Sequence, residues 1–136
     1  MDFETKLVSK PKAAELLEIA LRKSGYQCQT IALGVNIDAY QPIERKQEIT
    51  RSVLEILQRF RHPVSIITES AMVERDIEIQ REMAADQLVS VYISITTLDS
   101  ELAPKWSPAP LPLTEAYKLF AHCVMLAYRF RYWLRR

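Results

Sequence analysis

The chain has 136 residues, enough for one domain and too few for two comfortable ones. With 49% hydrophobic and 26% charged residues it can bury a core, and its net charge of +1 argues against capture of nucleic acid by the chain as a whole. Cys28 and Cys123 make neither a disulfide framework nor a metal-ligand set and fit a reducing, cytoplasmic setting; the first residues lack a signal-peptide core, and the longest apolar run, Leu119 to Ala127, is too short to span a membrane.

In chain order, Pro11 opens a helical stretch with Leu16, Leu17, Ala20 and Leu21 on its apolar face, and Gly25 is placed to end it. Thr30 to Asn36 reads as a short buried strand. Pro42 breaks the chain, and Glu44 to Phe60 follows as the clearest helix: Ile49, Val53, Ile56, Leu57 and Phe60 share one face. Pro63 to Thr68 is the next strand, and Ala71 to Ala85 the next helix, with Val73, Ile77 and Ala84 inward. In the strand Leu88 to Thr97, Val89, Val91, Ile93 and Ile95 alternate with Ser90, Tyr92, Ser94 and Thr96. Strands joined through helices must run parallel. A parallel strand with a hydroxyl-bearing second face suggests a polar interior, as in a barrel that holds a ligand.

Ligands of parallel α/β sheets lie beyond the carboxyl ends of the strands. Three such ends can be read, at Gly34 to Asp38, Thr68 to Ser70, and Ser94 to Asp99, and all are polar. Phosphate-loop patterns are absent. Asn36 and Asp38 suit a ligand amine or hydroxyls, or else an Asx turn leading into Tyr40. No nucleophile constellation is present. His62 reads as a cap or a solvent-facing residue at a helix end, and Cys28 as a packed thiol. Glu44, Arg45, Lys46 and Glu48 read as the wet face of a helix.

The chain changes character near residue 104. Residues 1–104 carry 12 basic and 16 acidic side chains, a net of −4, whereas residues 105–136 carry 6 basic and one acidic, a net of +5. The second part also holds 7 of the 12 aromatic residues. As a helix it would set Leu113, Tyr117, Phe120, Val124, Ala127 and Leu134 against Lys118, His122, Arg129 and Arg136. Such a tail could meet a membrane surface or nucleic acid, which makes a non-enzymatic binding module the alternative function.

The stretch Ala32-Leu-Gly-Val-Asn-Ile-Asp-Ala-Tyr-Gln-Pro-Ile-Glu44 resembles the GTNTDPYQPIE string of radical S-adenosylmethionine proteins related to spore photoproduct lyase, often labelled DNA repair photolyase-like. Ile49 to Leu57 and Arg61 to Ile66 match the family segment that follows. Thr68-Glu-Ser70 with Arg75-Asp76 is similar to its TKS and LRD strings, and Ser94-Ile-Thr-Thr-Leu-Asp99 to its SVTTLD. The likeness covers Asp2 to about Pro104.

The resemblance implies that residues 1–104 are part of a (β/α)₆ barrel in which a 4Fe–4S cluster binds S-adenosylmethionine and cleaves it reductively, starting radical chemistry on an unknown substrate. It sets Asn36 and Asp38 near the methionine amine, and Ser70, Ser94 and Thr96 near the ribose or carboxylate. The family holds its cluster with CxxxCxxC, a motif missing here, and Glu69 stands where the family has lysine. The chain is therefore expected to be an internal fragment that is inactive alone, binds neither cofactor nor cluster, and pairs with a complementary chain if one supplies the missing half.

Residues 105–136 are further read as translated in a shifted frame. Codons for Cys123 to Arg136 can be chosen so that the frame one base earlier reads Leu-Cys-Asn-Ala-Gly-Ile-Pro-Val-Ser-Val-Leu-Val-Ala-Pro, which resembles the family's next strand.

Overall fold

The computed structural model describes residues 9–94, the backbone of Ile95 and of residues 130–134, and Thr114 and Lys118. The protein is mixed α/β. Its elements are α1 (Ala13–Leu21), β1 (Ile31–Leu33), α2 (Glu44–Gln47), α3 (Ile49–Arg59), β2 (Val64–Thr68), a 3₁₀ helix (Ala71–Asp76), α4 (Ile77–Ala85), β3 (Val89–Ile95) and β4 (Phe130–Leu134). The strands lie in the order β1-β2-β3-β4, and every pair is parallel, as helical crossovers require. Ile31, Val64 and Val89 share one row of the register, and Leu33, Ile66, Val91 and Phe130 another.

Alternation sorts the sheet into two faces. Val64, Ile66 and Thr68 of β2, and Val89, Val91 and Ile93 of β3, are buried. They form the core with Leu54 and Leu57 of α3, Val73 of the 3₁₀ helix, and Ile79 and Met83 of α4. Ser65, Ile67, Ser90, Tyr92 and Ser94 are only half-buried on the other face.

The helices differ from their sequence reading in instructive ways. α1 ends at Leu21, and Gly34 rather than Gly25 is the glycine with positive φ. Leu17 and Leu21 pack on the core, but Leu16 is exposed. The segment from Glu44 is broken at Glu48, which takes the left-handed conformation (φ 48°) between α2 and α3. The break has a clear compensation: Thr50 N–H donates to Glu44 Oε2 at 3.0 Å, which caps α3 from the preceding turn. Glu44 is thus buried rather than solvated. The segment after β2 begins as a 3₁₀ helix, capped by Ser70 Oγ accepting from Met72 N–H at 3.2 Å. His62 is buried, not solvated: its Nδ1 donates to Pro63 O (2.9 Å), which leaves Nε2 to accept from Tyr26 Oη–H (2.7 Å). Cys28 is exposed rather than packed.

Leu134 belongs to a strand, so the apolar face drawn for residues 113–134 is not that of one continuous helix. Thr96 and the boundary at residue 104 lie outside the described residues, and the reading frame of residues 105–136 is a property of the gene. Among the described residues no helix is long and apolar enough to cross a membrane.

A charged frame of part-exposed arginines is built around the buried carboxylate of Asp76. Asp76, fully buried, accepts from Arg75 Nε and Nη2 (both 3.0 Å) and from Arg51 Nη1 (3.0 Å). Arg75 Nη1 donates in turn to the Glu44 carbonyl at 2.8 Å, and Gln80 Nε2 to Val73 O at 3.0 Å. Among the described residues no buried side-chain nitrogen or oxygen lacks a partner. Removing Asp76 would leave two guanidinium groups facing each other without their shared acceptor. Asp76→Ala is expected to lower unfolding stability by about 3 kcal/mol, read from the urea midpoint; an unchanged midpoint would show that the frame contributes nothing.

Candidate functional site

The carboxyl ends of β1, β2 and β3 open onto a cleft of about 570 Å³. Its walls include Asn36, Ile37, Asp38, Arg45, Glu69, Ser70, Tyr92 and Ser94. The cleft exists because β1 ends in a turn that no ordinary residue can make. Gly34 has φ +88°, and a Cβ there would stand 1.9 Å from the Ile67 carbonyl oxygen, which is backbone and cannot step aside. The chain then swings over the end of β2.

Asp38 locks that swing. Its Oδ1 accepts from Tyr40 N–H (2.7 Å), an Asx turn, and from Thr68 Oγ1–H (2.7 Å). Its Oδ2 accepts from Glu69 N–H at 2.6 Å. Thr68 Oγ1 accepts from Ser70 N–H at 3.0 Å, so hydroxyl and carboxylate together order the whole Thr68–Ser70 strand end. Tyr40 is buried beneath, with Gln80 Nε2 donating to its hydroxyl at 3.3 Å and the Arg75 guanidinium 5.8 Å from its ring centre. Burial, and then the charge of Asp76, push the Tyr40 phenol above its usual range, so it stays neutral.

Of the residues expected at the site, Asn36, Asp38, Ser70 and Ser94 come together around this one cleft. They do different work. Asp38 and Ser70 are engaged by the protein itself, whereas Asn36 is exposed and Ser94 half-buried at the wall. Reading strand ends alone missed Arg45 and Tyr92 as wall residues; the signal for Tyr92 was its alternation with Ser90 and Ser94. Exposed Val35 and Ile37 add apolar surface beside these polar groups, which suits a ligand with a flat apolar part and a polar periphery. Among the described residues no histidine or cysteine lines the cleft. His62 and Cys28 precede β2 and β1 and so belong to the opposite edge of the sheet.

Uncharacterized proteins of Mycobacterium tuberculosis and Mycobacterium bovis are 34% identical to this chain over 101 residues, 74% of its length. The matched segment is 30% of the length of those relatives. No family model matches the chain, and no solved structure matches it.

Two substitutions test how the cleft is built. Gly34→Ala combines a backbone clash with an unfavourable φ and is expected to cost about 3 kcal/mol or more, or to prevent folding. Asp38→Asn sets an amide donor or a single acceptor against three donors. It is expected to cost about 1–3 kcal/mol in urea unfolding and to speed amide exchange at Glu69 and Ser70 before the rest of the sheet.

Proposed function

We propose that the chain is part of a radical S-adenosylmethionine protein related to spore photoproduct lyase and that, against the expectation that the fragment binds no cofactor, its cleft is complete enough to bind S-adenosylmethionine. The observation that carries this reading is the convergence of Asn36, Asp38, Ser70 and Ser94, drawn from three separate strand ends, on one cleft. These are residues of the strings that resemble the family, and the half-buried hydroxyl face of β3 is what a strand facing a barrel interior would carry. In this reading Asn36 meets the methionine amine and Ser94 the ribose or carboxylate. Asp38 and Ser70 hold the two loops that shape the site. Val35 and Ile37 offer the apolar surface for the adenine ring.

The iron–sulfur cluster of the family does not fit the donors present. A cluster that leaves one iron open for the cofactor needs three thiolates, and the chain has two cysteines. Cys28 lies ahead of β1, away from the cleft, and Cys123 is outside the described residues. Radical chemistry on an unknown substrate, the reaction class that the resemblance implies, therefore requires ligands this chain does not provide. What its own residues can do is bind and orient the cofactor.

Isothermal titration of the purified chain with S-adenosylmethionine, in the absence of iron, should give saturable one-to-one binding. Asn36→Ala and Ser94→Ala should each weaken it by about tenfold, the loss of roughly one hydrogen bond, with unchanged circular dichroism. Lack of saturation at millimolar ligand overturns the reading. Anaerobic treatment with iron and sulfide should leave the protein without a stoichiometric four-iron signal in electron paramagnetic resonance after reduction; such a signal would show that the donor set has been misjudged.

A further inference from the structure

Among the described residues β1 pairs with β2 alone, which leaves its outer edge open. Ile31 N–H donates to Pro63 O at 3.1 Å, on the β2 side. Alternate residues of a parallel ladder turn their backbone groups to opposite neighbours, so the N–H and C=O of Ala32 point to the open edge. Ala32 is exposed, and Ile31 and Leu33 beside it are only half-buried although they pack on the core.

The placement of α1 determines what fits that edge. Leu17 and Leu21 pack on the core that α3 also covers, and Glu18 pairs with Arg59 of α3 at 3.3 Å, so both helices lie on one face of the sheet. The Arg22 guanidinium stands 5.3 Å from the ring centre of Phe60, which ends α3 just ahead of β2. α1 therefore ends at the amino edge of the strands and starts at their carboxyl edge. A strand that feeds α1 runs parallel to β1. Crossovers between parallel strands are right-handed in about 98% of cases. The chain through α3 makes one such crossover from β1 to β2, so a second of the same hand on the same face must come from the other side of β1. That side is the open edge.

The sequence ahead of α1 carries the matching pattern. Phe3, Thr5 and Leu7 alternate with Asp2, Glu4 and Lys6, the period of a strand with one face against a helix layer. Residues 9–12 then give a connection of ordinary length into α1. We propose that residues 3–8 of this chain dock on the open edge of β1 as a further parallel strand, with Phe3 and Leu7 turned toward α1. Leu16 is 63% exposed and lies about 200° round the helix from Glu18, on the flank of α1 away from α3. The docked strand supplies apolar cover on that side.

The test is amide hydrogen exchange of the full chain, followed residue by residue by nuclear magnetic resonance. Ala32 N–H should exchange about tenfold or more slower than an unpaired amide, the worth of one backbone hydrogen bond, at every protein concentration. The double variant Phe3→Asp, Leu7→Asp should restore fast exchange at Ala32 and leave Ile31 and Leu33, which face β2, protected. Exchange of Ala32 at the unpaired rate in the wild type overturns the proposal. So does protection that grows with concentration, which marks a second copy on the edge, or protection that survives the double variant, which marks another occupant. If the double variant does not fold, a disulfide decides. With Cys28 and Cys123 replaced by serine, Ala32→Cys is combined with Glu4→Cys or with Lys6→Cys. One of the two pairings should close an intramolecular bond on oxidation, seen by mass spectrometry. Intermolecular bonds alone, or no bond in either pairing, overturn the proposal.

Discussion

One carboxylate holds the end of the sheet in shape. Asp38 reaches from the segment after β1 to the last residues of β2 and accepts from two backbone N–H groups and a hydroxyl. Without it, the loop that leaves β1 and the loop that leaves β2 would share no bond at this point, and their polar backbone would turn to water. With it, Glu69 and Ser70 are fixed in direction, Tyr40 is drawn into the core, and a cleft remains where two loops would otherwise collapse. Gly34 makes the same geometry possible sterically, since the close approach to Ile67 O is open to a residue without a Cβ.

Behind this bridge, the buried charges do structural work that a purely apolar core could not do. Arg75 grips Asp76 with two nitrogens and extends a third to the Glu44 carbonyl, so the start of α4 and the start of α2 move as one. Glu44 in turn caps α3, whose first residue follows a left-handed Glu48 with no side-chain cap of its own. Burying charge is expensive unless every partner is present, and here the partners are complete among the described residues. The consequence for the site is stiffness. The wall that carries Arg45 is tied to the helix layer, and the wall that carries Glu69 is tied to β1.

The first three strands and the apolar faces of α3 and β3 were legible because periodicity records burial directly, whereas β4 falls in a stretch read as helical. That the strand ends gather around one cleft was legible because parallel topology dictates where loops meet. Other features depend on tertiary partners that no local pattern contains. Glu44 looks like the wet face of a helix until Thr50 and Arg75 arrive to satisfy it. His62 looks like a helix-end residue until Tyr26, 36 positions earlier, closes over it. The break at Glu48 is invisible to helix periodicity, since the apolar face begins only at Ile49 and Glu44 to Gln47 carry no apolar side chain to mark a change of register. Asp38 could be read either as a ligand contact or as an Asx turn; the turn is present, and the bond to Glu69 adds a constraint that neither alternative contained.

The fourth strand bears on the odd composition of residues 105–136. β4 joins β3 in parallel register from Val91↔Phe130 to Ile95↔Leu134. The edge of β3 offers a row of unpaired N–H and C=O groups, and such an edge accepts extended backbone of many sequences, above all stretches rich in aromatic residues. Phe-Arg-Tyr-Trp-Leu is such a stretch. Backbone pairing therefore does not distinguish a strand selected for this place from one that a shifted reading frame supplies with suitable residues. The two origins differ in what they ask of the side chains. A selected strand would extend the alternation of β3, whose Tyr92 and Ser94 line the cleft and whose register partners are Arg131 and Trp133. A strand from a shifted frame needs only to satisfy the edge. Because Asp38, Gly34 and the charged frame that shape the cleft all lie within residues 34–76, the site on β1 and β2 is independent of which origin is true.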